Sequence, residues 1–117
     1  MRKVYHLSTC DTCKRIIKEL GIGEDFEKQD IKTAAITTEQ LDEMKALAGS
    51  YESLFSRRSR QYAARGLKDQ QLNEDDYRSL ILEEYTFLKR PVFIIDGEIF
   101  IGNTKKTVEA IAAKIAE

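Results

Sequence analysis

Residues 3–21, KVYHLSTCDTCKRIIKELG, change hydrophobic period within one short stretch. KVYHL is a β-rich run that stops at Ser8 and Thr9; Ile16, Ile17 and Leu20 then recur at helical spacing before Gly21. The reading is strand, loop, helix, and both cysteines of the chain, Cys10 and Cys13, stand at the junction. DFEKQDI at 25–31 alternates weakly after a glycine-containing turn, as a second strand would. Residues 3–31 are therefore expected to form one βαβ unit with a right-handed crossover and a parallel strand pair.

The remainder adds helices and then returns to strands. Thr37-x-x-Gln40 reads as a capping box opening a helix over 37–48, with Leu41, Met44, Leu47 and Ala48 on one face. Residues 49–67 carry Tyr51, Leu54, Phe55, Tyr62 and Leu67 among polar residues and predict two short helices ending at Gly66. Asn73 caps a further helix whose acidic first turn suits the helix dipole. RPVFIIDGEIFIG then reads as an antiparallel hairpin turning at Asp96-Gly97, and a last helix presents Val108, Ile111, Ala112 and Ile115 on one face, capped by Asn103 or Thr104. The order β, α, β, helices, β, β, α describes an α/β chain: a mixed four-stranded sheet flanked by helices, with a helical insertion at about 37–86 in a single domain spanning 1–117.

Composition narrows what the cysteine pair is for. At 117 residues, 42% apolar and 33% charged, the chain is expected to fold as one globular domain without disulfide staples. A formal charge of −1 gives no global reason to expect nucleic acid or an anionic membrane as partner. The basic N-terminus lacks an apolar run of signal-peptide length and no later run approaches a membrane span, so a cytoplasmic location is expected. In that compartment paired cysteines are catalytic or metal-binding more often than cross-linked. Two cysteines and the single His6 do not complete a four-ligand zinc site, so no metal is expected.

A Cys-x-x-Cys at a strand–helix junction places Cys10 near unpaired backbone N–H groups and the positive end of a helix dipole, which favour a thiolate. Cys13, one turn further in, is near enough to resolve a mixed disulfide on Cys10, and Lys14 and Arg15 add positive charge. The alternative is a pair of buried structural cysteines. Arg57, Arg58, Arg60 and Arg65 read either as a solvated helical face or as an anion site at the mouth of the cysteine pocket. Tyr51, Phe55 and Tyr62, interleaved with them, suit a core better than a base-stacking surface.

Three segments, VYHLSTCDTCKR, LFSRRSRQYAARGL and LKRPVFIIDGEIFIGN, make the chain resemble the ArsC/Spx family, arsenate-reductase-like proteins of the thioredoxin superfamily. The resemblance runs nearly end to end and implies a thioredoxin-like fold with an all-helical insertion. It implies Cys10 as nucleophile, Cys13 as its partner, Arg90 beside the cysteine, and a cis peptide at Pro91, the chain's only proline. It also implies His6, Thr9, Lys14 and Arg57 as groups that hold an anion; for His6 the competing reading is a half-buried strand residue pointing away from the thiol.

Arsenate reductases of the family hold the oxyanion with three arginines, a use of guanidinium forks that suits a tetrahedral anion. Arg90 matches one of them, whereas Ser56 and Gly102 fall at the other two, and SRRSR at 56–60 resembles the Spx-like branch. The resemblance thus implies a thiol-disulfide oxidoreductase with no bound cofactor. Its substrate would be a small oxyanion, a disulfide or a glutathionylated thiol, and its reductant glutathione, glutaredoxin or thioredoxin. The alternative is a redox-sensing regulator that binds the alpha subunit of RNA polymerase. A monomer is expected from size.

Overall fold

A computed structural model describes residues 1–117. The chain divides into two compact units, residues 1–35 with 90–117, and residues 36–89.

The first unit is the sheet. β1 (Arg2–His6) is followed by α1 (Asp11–Glu19) and β2 (Glu27–Asp30), and after the helical unit by β3 (Val92–Ile95), β4 (Glu98–Ile101) and α5 (Lys105–Ile115). The strand order is β2-β1-β3-β4, with β1 parallel to β2 and antiparallel to β3, and β3 antiparallel to β4. The second strand is shorter than the run at 25–31, because Phe26 turns into the core before pairing begins at Glu27.

One face of the sheet packs on α1 and α5. Val4, Phe93 and Ile95 from the strands meet Ile16 of α1, Ile111 of α5, and Ile22 and Phe26 of the connection to β2. Phe26 and Phe93 meet edge to face at 5.8 Å, a favoured aromatic geometry. Strand alternation decides which residues look this way: Val4 and His6 share one face of β1, Lys3 and Tyr5 the other. Lys3 is buried despite its charge because its Nζ reaches Glu27 at 2.8 Å and lies 4.7 Å over the Tyr5 ring.

The hairpin turn has Asp96 at φ 49° and Gly97 at φ 86°, the two positive angles of a type I′ turn. Asp96 also anchors the chain start, its Oδ1 accepting from the Met1 ammonium at 3.1 Å and its N–H donating to the Met1 carbonyl at 2.9 Å.

The second unit is helical: α2 (Thr38–Ala48), α3 (Arg60–Ala64) and α4 (Glu74–Glu83), with single 3-10 turns at Glu52–Leu54, Leu67–Asp69 and Tyr85–Phe87. Both long helices begin with reciprocal capping boxes, Thr37 with Gln40 and Asn73 with Asp76. The two short helices expected between 49 and 67 appear as a 3-10 turn and the single short α3. Ser50 and Ser59 draw the backbone into local hydrogen bonds that break the run. Phe55 is the centre of the buried aromatics, 4.9 Å from Tyr77, 5.0 Å from Phe87 and 6.1 Å from Tyr62. No helix of the chain is long and apolar enough to cross a membrane.

Candidate functional site

The sequence between β1 and α1 builds the site. After His6 the chain turns through Leu7, whose carbonyl accepts the Cys10 N–H at 3.0 Å, and Cys10 occupies the N-cap of α1 in extended conformation. N-cap residues ordinarily offer an oxygen to the free N–H groups of the first turn. The Cys10 side chain makes no such cap hydrogen bond, but the Cys13 backbone, at the third helical position, is near enough to lower its thiol pKa. The Lys14 N–H closes the first helical turn on the Cys10 carbonyl at 3.1 Å.

The two thiols are unequal. Partial burial on its own would raise the Cys10 pKa, but the neighbouring Cys13 backbone and thiol and the Arg90 guanidinium, with its charge, outweigh it and hold Cys10 below the ordinary thiol value. Cys13 has no exposed surface, and burial first, then the neighbouring Cys10 charge, push it up to about 11, against the Leu7 N–H and Arg90, which act the other way. Both cysteines are free thiols. The pair is a partly exposed sulfur with a lowered pKa backed by a buried one with a raised pKa.

Arg90 enters this site from the start of β3, where the Arg90–Pro91 peptide is cis and Pro91 is buried. The Gly102 N–H donates to the Pro91 carbonyl at 3.0 Å, and Gly102 holds φ at 92°, a region in which residues with a Cβ are strained. The backbone itself therefore selects glycine at 102.

The other residues singled out from the sequence divide between this site and elsewhere. Lys14 and His6 line a shallow groove of about 640 Å³ beside α1, together with Ser8, Ile17, Lys18, Ile22 and Lys28. His6 is half-buried; desolvation chiefly, with Lys28, lowers its pKa, and Asp30 opposes them. Its electrostatic neighbours are thus at the β2 end of the groove, the arrangement of a strand residue that faces α1. Thr9 is exposed in the loop before Cys10. Arg57 belongs to the helical unit, where it pairs with Glu52 at 2.9 Å and donates to the Tyr77 hydroxyl at 3.1 Å. Arg65 there pairs with Glu83 at 2.8 Å. No group of three or more His, Cys, Asp or Glu is arranged to hold a metal ion.

Two contributors escaped the sequence reading. Asp30, opposite His6 in the parallel register, accepts the Ser8 N–H at 3.3 Å and the Lys32 N–H at 3.1 Å, and so ties the cysteine loop to the end of β2. The Ser8 side chain, ahead of the Lys32 and Ser8 N–H groups, is the main reason its carboxyl titrates below the usual range. An Asp followed by a polar turn hints at such a tether, but only strand register reveals its partner. The second is the Leu7 backbone N–H directed at Cys13, which leaves no trace in side-chain sequence.

Comparison with known proteins places this geometry. The family model described as ArsC family matches residues 5–111. An uncharacterised protein of Haemophilus influenzae is 28% identical over 117 residues, covering 97% of this chain and all of that protein. Among solved structures, the YFFB protein superposes with a TM-score of 0.79 at 23% identity, covering 97% of this chain and 98% of its own. An arsenate reductase from Vibrio cholerae superposes at 0.77 and 19% identity, covering 94% of this chain and 96% of its own. At these identities the superpositions establish the fold, a thioredoxin-like mixed sheet with flanking helices.

Proposed function

The chain belongs to the ArsC family, and on that premise we propose that it is a thiol-disulfide oxidoreductase with Cys10 as nucleophile and Cys13 as resolving thiol. The observation that carries this reading is the inequality of the two sulfurs. Cys10 is partly exposed, N-caps α1 and faces Arg90, while Cys13 is buried one turn behind it with its thiol pKa at about 11. A thiolate is the attacking species in exchange, and a protonated second thiol keeps the pair from competing for the first step.

The chemistry balances as two exchanges. Cys10 thiolate attacks one sulfur of a substrate disulfide; the Cys10–substrate S–S bond forms, the substrate S–S bond breaks, and the first substrate thiolate leaves and takes a proton. Cys13 then loses its proton and attacks the Cys10 sulfur, forming the Cys10–Cys13 disulfide and expelling the second substrate thiolate. The substrate gains two electrons and the protein loses two. Two molecules of glutathione, or one glutaredoxin or thioredoxin dithiol, return them. Arg90 stabilises the Cys10 thiolate before attack and again when Cys10 becomes the leaving sulfur during re-reduction.

A disulfide or glutathionylated thiol fits this site better than arsenate. Arg90 is the guanidinium that acts on Cys10, while Gly102 contributes backbone where the oxyanion-holding pattern calls for an arginine. The test is reduction of a glutathionylated peptide followed by mass spectrometry. Cys10→Ser is expected to abolish turnover and Cys13→Ser to accumulate a Cys10 mixed disulfide. Full turnover by Cys10→Ser would refute the assignment.

A further inference from the structure

Cys10, Lys14 and Lys18 fall at i, i+4 and i+8 along α1 and so share one stripe of the helix. Lys14 and Lys18 of that stripe line the groove together with Ile17, Ile22 and Lys28 of β2. Lys14, Lys18 and Lys28 are exposed and form no ion pair, whereas Lys3, Arg2, Arg15 and Lys114 of the same unit each reach a carboxylate. Asp30, at the end of β2, is already engaged by the Ser8 and Lys32 N–H groups. A chain of net charge −1 thus keeps three lysines without an ion pair around an apolar trough that Ser8, two residues before the reactive sulfur, and Lys14, one helical turn after it, help to line.

We propose that this groove docks an acidic, partly apolar segment of the protein whose disulfide Cys10 attacks. The proposal rests on the thiol-exchange reading and specifies its substrate. Charge complementarity selects the partner: carboxylates meet the lysine rim, and an apolar side chain covers Ile17 and Ile22. Spacing adds a register. Lys14 and Lys18 lie about 6 Å and about 12 Å along the helix from Cys10, and an extended chain advances about 3.3 Å per residue. Acidic residues about two and four positions from the substrate cysteine therefore fall opposite the two lysines.

The test separates docking from chemistry. Binding of a fluorescent cysteine-free peptide of alternating Glu and Leu to the reduced wild-type protein is measured by anisotropy, beside a Lys/Leu counterpart and a short single-stranded DNA. The acidic peptide is expected to bind and the basic one not. The Lys14→Glu/Lys18→Glu/Lys28→Glu variant is expected to weaken binding on the order of tenfold, and Lys105→Glu/Lys106→Glu on α5 to leave it unchanged. Lys18→Glu alone, at an exposed helix position, preserves the test if the triple variant does not fold. Equal binding of both peptides, an equal loss in the α5 variant, or tighter binding of the DNA lost with the same reversals would overturn the proposal. Exchange is then followed with mixed-disulfide peptides bearing Glu or Ser at the second and fourth positions. Charge-selective binding without exchange on either peptide would overturn the thiol-exchange reading while leaving the acidic dock standing.

Discussion

At the residue scale the protein is defined by what surrounds one sulfur. Cys10 would be an ordinary partly buried thiol, with a raised pKa, were it not for the Cys13 N–H and thiol and the Arg90 guanidinium. Replacing Arg90 with Met removes both a hydrogen bond and a charge, so the pH midpoint of Cys10 alkylation in a Cys13→Ser background is expected to rise. Arg90→Lys, which keeps the charge without the planar fork, is expected to lie between. Iodoacetamide rates measured across pH check this, and an unchanged midpoint in Arg90→Met would remove Arg90 from the mechanism. Asp30 acts one step further out, through the loop. Asp30→Asn weakens the tether to the Ser8 N–H and is expected to slow alkylation of Cys10 at neutral pH while leaving the thermal midpoint little changed.

The cysteines and the strand–helix junction were legible in the sequence because each is a local pattern, a spacing and a change of period, whereas Arg90 was reached only through the family resemblance. The Asp30 tether and the Leu7 backbone at Cys13 were not legible, and the sequence left the burial of Cys13 and the placing of His6 open. They arise from strand register and helix packing, which bring residues from different elements together.

At the element scale, caps and cross-links were read with unequal success for the same reason. The Thr37–Gln40 box lies within four residues and was visible; the Asp42–Arg78 pair joins α2 to α4 across 36 positions and was not. In that pair the Arg78 Nε and a terminal guanidinium nitrogen contact the two oxygens of Asp42 at 2.9 and 3.2 Å, and the Tyr51 hydroxyl donates at 2.6 Å. The Arg78 hydrogen bonds first, then Tyr51, lower the Asp42 pKa from 3.8 to about 2. A carboxyl depressed in the folded state stabilises the fold above its unfolded pKa and loses that contribution as pH falls through the folded one. Wild type is therefore expected to melt above Asp42→Asn by a constant margin from pH 7 to about 5, the margin closing between about 4 and about 2. Thermal melts of both proteins across that range check it, and a margin that persists at pH 2 would contradict it. Removing a cap should act without such pH dependence: Asn73→Ala is expected to cost about 1 kcal/mol in denaturant unfolding.

At the scale of the whole molecule, one arrangement recurs: the sheet unit holds Cys10, Cys13 and Arg90, while the helical unit inserted between β2 and β3 is ordered by its own caps, ion pairs and aromatic cluster. The core under α1 and α5 fixes the angle at which α1 presents Cys10. Ile111→Ala, which empties a site with no exposed surface, is expected to destabilise by about 2–5 kcal/mol. The central claim is that Cys10 and Cys13 form one reversible redox couple in which Cys10 alone reacts at low pH. It is tested most directly by equilibrating the full chain in glutathione redox buffers and reading its thiols by alkylation and mass spectrometry. The expected result is a two-electron transition to a single Cys10–Cys13 disulfide, with low-pH alkylation of the reduced form confined to Cys10. Thiols that form no disulfide at any ratio, and that alkylate together only after unfolding, would show the pair to be structural and contradict the mechanism.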